Sequence, residues 1–417
     1  MRACNPNDAV LNALSQRATE LTLADGIHEE DRPFFVVDLS VVRQRYRQWT
    51  RALPGVTPHY AVKCNSDPVM LGLLAILGAG FDCASASEMQ SILNLGVEPE
   101  RIIYAHPCKT ASRLEMAHTA CIKRMTFDSI DELEKLGRAP GEPDLLLRIW
   151  TEDDGLETHL SRKFGARLNK VQSLLTCAQD LKLNVIGIAF HVGTRASDPG
   201  VFVKALRDSR IAFHMAAQIG IHLSVLDLGG GFVSHTFEES GKVIRDTIAE
   251  QDFPKDVEII AEPGRLFAEE AFTLACKVLG KRRLSVGSGS RKSSMLYLSD
   301  GVYGNFANVV WESQQLCPGL LDVPTIGDVG NVRMITESES CIPNIYTYML
   351  WGPTCDGNDC IMKQWDSERY IRTGNWLYFP DMGAYSSSCK TGFNGFGDMQ
   401  QPVYLSGNQR VSDSDSI

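Results

Sequence analysis

Charged side chains and imidazoles are costly to bury without partners. Where they close apolar runs, they mark places where chemistry can be done. Lys63 closes the run Tyr60-Ala-Val-Lys63. A lysine at such a position can be desolvated and act as an amine nucleophile, for example by forming a Schiff base. Gly229-Gly230-Gly231 follows the run ending at Leu228, and its free backbone N–H groups allow close approach of an anion. Glu262-Pro-Gly-Arg265 closes a further run. Its carboxylate can pair with a protonated ring nitrogen, and its guanidinium matches a phosphate. His191, after Phe190, can stack on a flat ring, and Asp82 and Glu88 can sit near the lysine. Each residue also has an ordinary alternative. The lysine can snorkel, the glycines can make a tight turn, Glu262 and Arg265 can pair with each other, and His191 can be a satisfied core residue. Glu88 completes a capping-box pattern with Ser85.

These residues need elements to bring them together. Short apolar, β-branched or aromatic runs end near Val62, Asp82, Ala105, Phe127, Ile149, Phe190, Leu228 and Ala261. Helix-length stretches such as 67–77, 87–95, 129–136 and 199–218 lie between them, and Ser129-Ile-Asp-Glu132 reads as a capping box. Strands alternating with helices in this way predict a parallel (β/α)8 TIM-like barrel, whose chemistry sits at the C-terminal ends of the strands. Those ends carry Lys63, Asp82, Arg148, His191, Gly229–Gly231 and Glu262. An open doubly wound sheet is the alternative, but no GxGxxG follows an early strand.

The texture changes after about residue 270. Strand-like segments at 272–279, 294–298, 332–335, 345–350 and 376–379 are separated by Gly, Pro, Ser and Asp turns, which predicts an all-β domain. The expected organisation is a barrel over 40–270 and a β domain over 271–407, joined by an early strand near 33–39. Residues 1–30 and 408–417 are expected to be flexible tails.

Composition excludes other classes. The 417 residues carry 41 basic and 51 acidic side chains, a formal charge of −10, with no basic run, so nucleic acid and anionic membranes are unsuitable partners. No uninterrupted apolar stretch of membrane-spanning length occurs. The N-terminus lacks a basic segment followed by an apolar one. The 12 cysteines are scattered without a CxxC pair, so no metal site is expected. They read as reduced thiols of a cytoplasmic protein.

A Schiff-base lysine, a phosphate cradle and an acid for a pyridinium together describe a pyridoxal phosphate site. The segments that carry them resemble the eukaryotic ornithine decarboxylase family, within the fold-type III pyridoxal-phosphate decarboxylases. They are Tyr60-Ala-Val-Lys-Cys-Asn65, Phe81-Asp-Cys-Ala-Ser85, Phe190-His-Val-Gly193, Leu226-Asp-Leu-Gly-Gly-Gly-Phe232 and Ala261-Glu-Pro-Gly-Arg265. Asp300-Gly-Val-Tyr-Gly304, Trp351-Gly-Pro-Thr-Cys-Asp-Gly357 and Asp381-Met-Gly-Ala-Tyr385 continue the likeness in order, to about residue 397.

The resemblance implies a cofactor-binding barrel plus a β domain, in a head-to-tail homodimer with shared active sites. It implies that Lys63 forms the Schiff base, His191 stacks on the ring and Glu262 contacts the ring nitrogen. It assigns the phosphate to Thr194, Gly229, Gly230, Gly231, Arg265 and Tyr385, and support of the lysine region to Arg148 and Asp82. Cys355 would guide protonation and Asp356 would bind the substrate's distal amine, both reaching into the partner subunit's site. The implied reaction is decarboxylation of a basic L-amino acid, most simply L-ornithine to putrescine and CO2 in polyamine biosynthesis. The resemblance also makes an antizyme-like regulator a candidate partner.

Four positions depart from the family pattern. Thr194 replaces a usual serine and keeps the hydroxyl. Arg195 replaces a small residue; it is either a solvated loop residue or a cation for an extra substrate carboxylate. Trp311-Glu312 aligns with a Tyr-Asp pair whose aspartate helps bind the distal amine. Glu312 keeps the charge on a side chain one methylene longer, and such a mismatch is worth about 1–3 kcal/mol in discrimination. An alternative substrate follows: another cationic or N-substituted diamino acid, as in alkaloid-type specialised metabolism. Diaminopimelate decarboxylases carry Cys-Glu-Ser where this chain has Cys355-Asp356-Gly357, and alanine racemases lack the segment. Antizyme-inhibitor-like binding proteins have lost cofactor contacts that are all present here.

Overall fold

A computed structural model of the chain describes residues 6–23, 31–152, 160–284, 293–323, 345–407 and 409–410. They form two compact units. One is Val42–Phe267; the other combines the chain up to Val41 with the chain from Ala268 onward.

The chain opens with helix α1 (Asp8–Leu23), strand β1 (Phe34–Asp38) and helix α2 (Leu39–Ala52). Strands and helices then alternate: β2 (Val56–Ala61), α3 (Pro68–Leu77), β3 (Gly80–Cys83), α4 (Ala86–Asn94), β4 (Ile102–Tyr104) and α5 (Ala111–Thr119). The series continues with β5 (Arg124–Phe127), α6 (Ile130–Arg138), β6 (Asp144–Arg148), α7 (Leu168–Asp180), β7 (Asn184–Ala189) and α8 (Gly200–Gln218). It ends with β8 (Val225–Asp227), α9 (Phe237–Gln251), β9 (Glu258–Ala261) and the short helix α10 (Arg265–Ala268). Strands β2 to β9 close into a parallel barrel through the β2–β9 pairing. The expected barrel is therefore present, and every anticipated strand end falls at or next to the observed one.

Local chemistry sets the helix boundaries. The Asp67 carboxylate accepts the Met70 N–H at 2.9 Å with Pro68 at the first helical position, so α3 starts there, and left-handed Gly78 ends it. The Ser85 capping box forms: Ser85 Oγ accepts the Glu88 N–H at 3.3 Å, and Glu88 returns a bond to the Ala84 N–H at 2.5 Å. At Ser129 only half the box forms. Ser129 accepts the Glu132 N–H at 3.4 Å, but the Glu132 carboxylate turns to Lys109, whose ammonium lies 3.0 Å away. A buried lysine is costlier to leave unpaired than a helix-end N–H, so the ion pair claims the carboxylate. Within the barrel, Ile103, Leu146, Ala189, Val225 and Ile260 of β4, β6, β7, β8 and β9 form a buried apolar cluster.

The other unit contains β10 (Phe272–Arg283), β11 (Ser293–Leu298), α11 (Ala307–Trp311), β12 (Gly319–Leu320), β13 (Tyr346–Trp351), β14 (Cys360–Ser367), β15 (Trp376–Phe379), β16 (Val403–Ser406) and β17 (Gln409–Arg410). Its sheet runs β14-β13-β11-β10-β1-β16-β17, with β15 on β10 and β12 on β15. Strand β1 thus joins this sheet, antiparallel to β10 and parallel to β16. The anticipated strand at 332–335 lies outside the described residues.

Two expectations about the ends need correcting. The first segment is not all tail: α1 buries Val10, Leu14, Ala18 and Leu21 against Phe34, Trp376 and Leu405 of the sheet. Within 408–417, β17 pairs with β16 rather than fraying.

Candidate active site

The barrel gathers its polar residues at the strand C-termini, where closure brings distant segments together. Lys63 follows β2, and its ammonium ion-pairs closely with Asp82 of β3. The lysine side chain is 38% exposed while that of Asp82 is fully buried, so the lysine is reachable while its partner is fixed. Arg148 ends β6 with its guanidinium 5.3 Å from the Phe164 ring centre, and it interacts with the charges of Glu262, Asp128, Asp82 and Asp227. Arg265 Nη2 lies 3.5 Å from Thr194 Oγ1, which links the loop after β9 to the loop after β7.

His191 is neutral. Burial, with the nearby charges of Arg148 and Lys63, drives its pKa well below the ordinary value. Its Nδ1 accepts the Gly193 N–H at 3.0 Å, which leaves the ring proton on Nε2. Beneath it, the glycine run is compressed against the β7 loop. A Cβ at Gly229 would stand 2.0 Å from the Phe190 carbonyl, and one at Gly230 would stand 2.7 Å from His191 Nε2. Gly229 and Gly231 also have left-handed φ values of 61° and 108°. The run is glycine because the neighbouring loop leaves no room for side chains.

The mouth holds three buried acids. Burial first, then the charges of Asp227 and Asp82, pushes the Glu262 carboxyl well above the carboxylate range. Burial likewise raises Asp227 to about 6, although its carboxylate accepts the Gly229 N–H at 2.8 Å. Asp82 Oδ1 is buried with no hydrogen-bond partner among the described residues.

The remaining anticipated residues belong to the other unit. Cys355 and Asp356 lie on the loop between β13 and β14. The Cys355 thiol is exposed and its N–H donates to Asn394 Oδ1 at 3.0 Å. The Tyr303 hydroxyl donates to Asp356 in a close contact and holds its carboxyl below the usual range. Asp359 ties this loop to the Tyr303 loop: its carboxylate accepts the Val302 N–H at 2.8 Å, the Thr354 N–H at 3.0 Å and the Thr354 hydroxyl at 2.7 Å. Glu312 is buried just after α11, beside Trp311, which is 72% exposed. Asn308 of that helix donates to the Ala384 carbonyl at 3.4 Å, and Gln314 donates to Asp381 at 3.3 Å, which joins the helix to the loop of Tyr385. Tyr385 is left-handed, with φ 53°.

Asp227, Tyr303 and Asp359 hold anticipated site residues or their loops, yet the sequence alone does not single them out. Asp227 and Tyr303 sit inside the motifs and Asp359 lies two residues beyond one.

Pyridoxal phosphate offers an aldehyde, a flat ring with a basic nitrogen, and a phosphate. The barrel mouth fits that set. It has an anchored, accessible amine, a neutral imidazole, and three buried acids whose mutual repulsion a cationic ring nitrogen relieves. It also has a glycine run with no side chains and an arginine–hydroxyl pair for the anion. Among the described residues no cluster suits a metal ion, and no helix is long and apolar enough to cross a membrane.

Comparison with known proteins agrees. Residues 39–269 match the family model for the pyridoxal-dependent decarboxylase, pyridoxal binding domain. The chain is 41% identical over 414 residues to the ornithine decarboxylase of Neurospora crassa, covering 94% of this chain and 85% of that protein. It is 39% identical over 408 residues to decarboxylase flvG of Aspergillus flavus, covering 97% and 93%. The crystal structure of the Paramecium bursaria Chlorella virus arginine decarboxylase superposes with a TM-score of 0.80 at 36% identity, covering 90% of this chain and 96% of that one. By fold and by sequence, the chain belongs to the pyridoxal-dependent decarboxylase family.

Proposed function

We propose that this protein uses pyridoxal phosphate to decarboxylate a basic L-amino acid, most simply L-ornithine to putrescine and CO2. The observation that carries the reading is the barrel mouth, where Lys63, Asp82, His191 and Glu262 converge beside a glycine run. When bound, the cofactor supplies an aldehyde that captures amines and a ring that takes up the electron pair left by departing CO2. The chain's residues do the rest. Lys63 Nζ, anchored by Asp82, is the amine that retains the cofactor. Glu262 keeps a proton at the ring nitrogen. Neutral His191 gives the ring a flat neighbour without a competing charge. Thr194, Gly229–Gly231, Arg265 and Tyr385 receive the phosphate, and Arg148 balances the acids around Lys63. Asp356 and Glu312 bind the distal ammonium of the substrate, and Cys355 delivers a proton to the carbon that lost its carboxylate. Cys355 and Asp356 lie on a loop of the β unit and serve the site of a second copy, so the working form is a homodimer.

A second reading concerns the substrate. Glu312 stands where the family pattern has aspartate, and two of the similar proteins are not named for ornithine. A displaced carboxylate selects a distal group of different reach. The test is CO2 and amine release by the cofactor-loaded protein from L-ornithine, L-lysine, L-arginine and N-substituted diaminobutyrates. Dominant putrescine formation supports the first reading, and strong preference for another substrate supports the second. Absence of both visible cofactor absorbance and turnover would make the protein a non-catalytic regulator of the antizyme-inhibitor type. Sedimentation of the same sample tests the dimer.

A further inference from the structure

Asp227 ends β8 and is wholly buried. Its two oxygens have different surroundings. Oδ1 accepts the Gly229 N–H at 2.8 Å. Oδ2 is buried and meets no N–H or O–H donor among the described residues. Glu262 follows β9, the strand paired with β8, and its N–H donates to the Gly229 carbonyl at 2.6 Å, in the same turn whose Gly229 N–H is held by Asp227; the two carboxyls interact. Two buried carboxylates side by side repel each other unless a proton lies between them. The other charged groups around the pair are Asp82, which adds repulsion, and Arg148 and Lys63, which offset it; His191 is neutral. A shared proton is the arrangement that gives Asp227 Oδ2 a partner.

We propose that Asp227 is a positioning residue that acts as a neutral acid, donating its hydroxyl to Glu262 so that Glu262 is the anion facing the cofactor's ring nitrogen. The inference rests on the pyridoxal phosphate reading and deepens it. The proton balance is simple. The pair holds one proton and one negative charge. When a cationic ring nitrogen is present, the proton resides on Asp227 and the charge on Glu262. Above the pH at which the free pair loses its proton, binding must take one up again.

Asparagine separates this role from a purely structural one. In D227N the amide oxygen still accepts the Gly229 N–H, and the amide N–H donates permanently to Glu262. The geometry is kept while the titrating proton is removed. The experiment is equilibrium titration of apoprotein with pyridoxal phosphate, followed by absorbance, for wild type, D227N and D227A between about pH 6 and about pH 10, the range that brackets a raised carboxyl pair. Relative to D227N, wild-type affinity is expected to fall in the alkaline range, approaching roughly tenfold per pH unit for one coupled proton. D227A, which lacks any donor to Glu262, binds more weakly than D227N throughout. A D227N-to-wild-type ratio that stays constant with pH overturns the proposal, because pinning the Gly229 turn alone predicts that constancy. The D227N comparison decides the matter even if D227A fails to fold. A wild-type protein that binds no cofactor at any pH overturns the underlying reading too, whereas binding with a constant ratio overturns only the shared proton.

Discussion

Substituting Gly230 by alanine tests whether the tight packing under His191 matters for cofactor binding. Gly230 does not have a left-handed φ, so alanine introduces a methyl group without backbone strain. That Cβ would stand 2.7 Å from His191 Nε2 and 3.0 Å from the Glu262 carbonyl. Comfortable contact needs about 3.5 Å, so the imidazole must retreat by roughly 0.8 Å. The Gly193 N–H bond to Nδ1, now 3.0 Å, then stretches past useful range. Overpacking of this kind costs about 1–3 kcal/mol and the hydrogen bond about 1 kcal/mol. Part of that cost is already present without cofactor and appears as a lower Tm. The displaced ring face is the part lost on binding, and a share of about 1.4 kcal/mol weakens cofactor affinity tenfold. The assay is a double-mutant cycle of G230A and H191A, read by pyridoxal phosphate titration and thermal melting. With the imidazole gone only the 3.0 Å approach to the Glu262 carbonyl remains, so G230A is expected to cost less on the H191A background. An equal loss of affinity on both backgrounds would refute the steric route through His191.

Three further outcomes are expected. K63R keeps the cation beside Asp82 but removes the primary amine, so the protein should lose the visible cofactor band and resist borohydride trapping. Burial raises Asp300 from 3.8 to about 6, so its ionised form costs the fold about 3 kcal/mol. That stability is present below about pH 4 and lost as pH rises through 6, and D300N should flatten this component in urea melts at pH 4.5 and 7. K109M removes one of the two lysines paired with the buried Glu132 carboxylate and leaves Lys135 on its other oxygen, so it should destabilise the barrel by about 1–3 kcal/mol in denaturant titrations, with a smaller loss when E132L is added.

The barrel was legible because its strands are short, apolar and separated by helix-length stretches, so each strand end could be located to within a residue. Strand β14 was not. It is an edge strand that pairs with β13 alone and carries Lys363, Gln364 and Asp366 facing outward, which breaks the apolar signature. Helix α1 reads as a tail in the sequence because its buried stripe is diluted by alanine, serine and threonine; tertiary packing against Trp376 holds it in place. Within the site, residues that act through their type at a strand end, such as Lys63 and Glu262, could be named in advance. Asp227 could not, because its place beside the Glu262 segment depends on strand pairing. Only the pairing of β8 with β9 brings the two strand ends side by side.

The position of β1 bears on how the chain is made. Phe34 pairs with Ala275, and Val36 with Val403, so this strand lies between partners that come much later in the sequence. At about 5–20 residues per second, the roughly 240 residues to its first partner take about 12–48 s to synthesise. For that time a run of five buried residues, Phe34–Asp38, has no sheet to enter. The barrel segment emerges complete in the interval and can fold first. Newly made chains therefore pass through a stage in which a finished barrel trails an unpaired apolar strand, and that strand is where holding chaperones would be expected to bind.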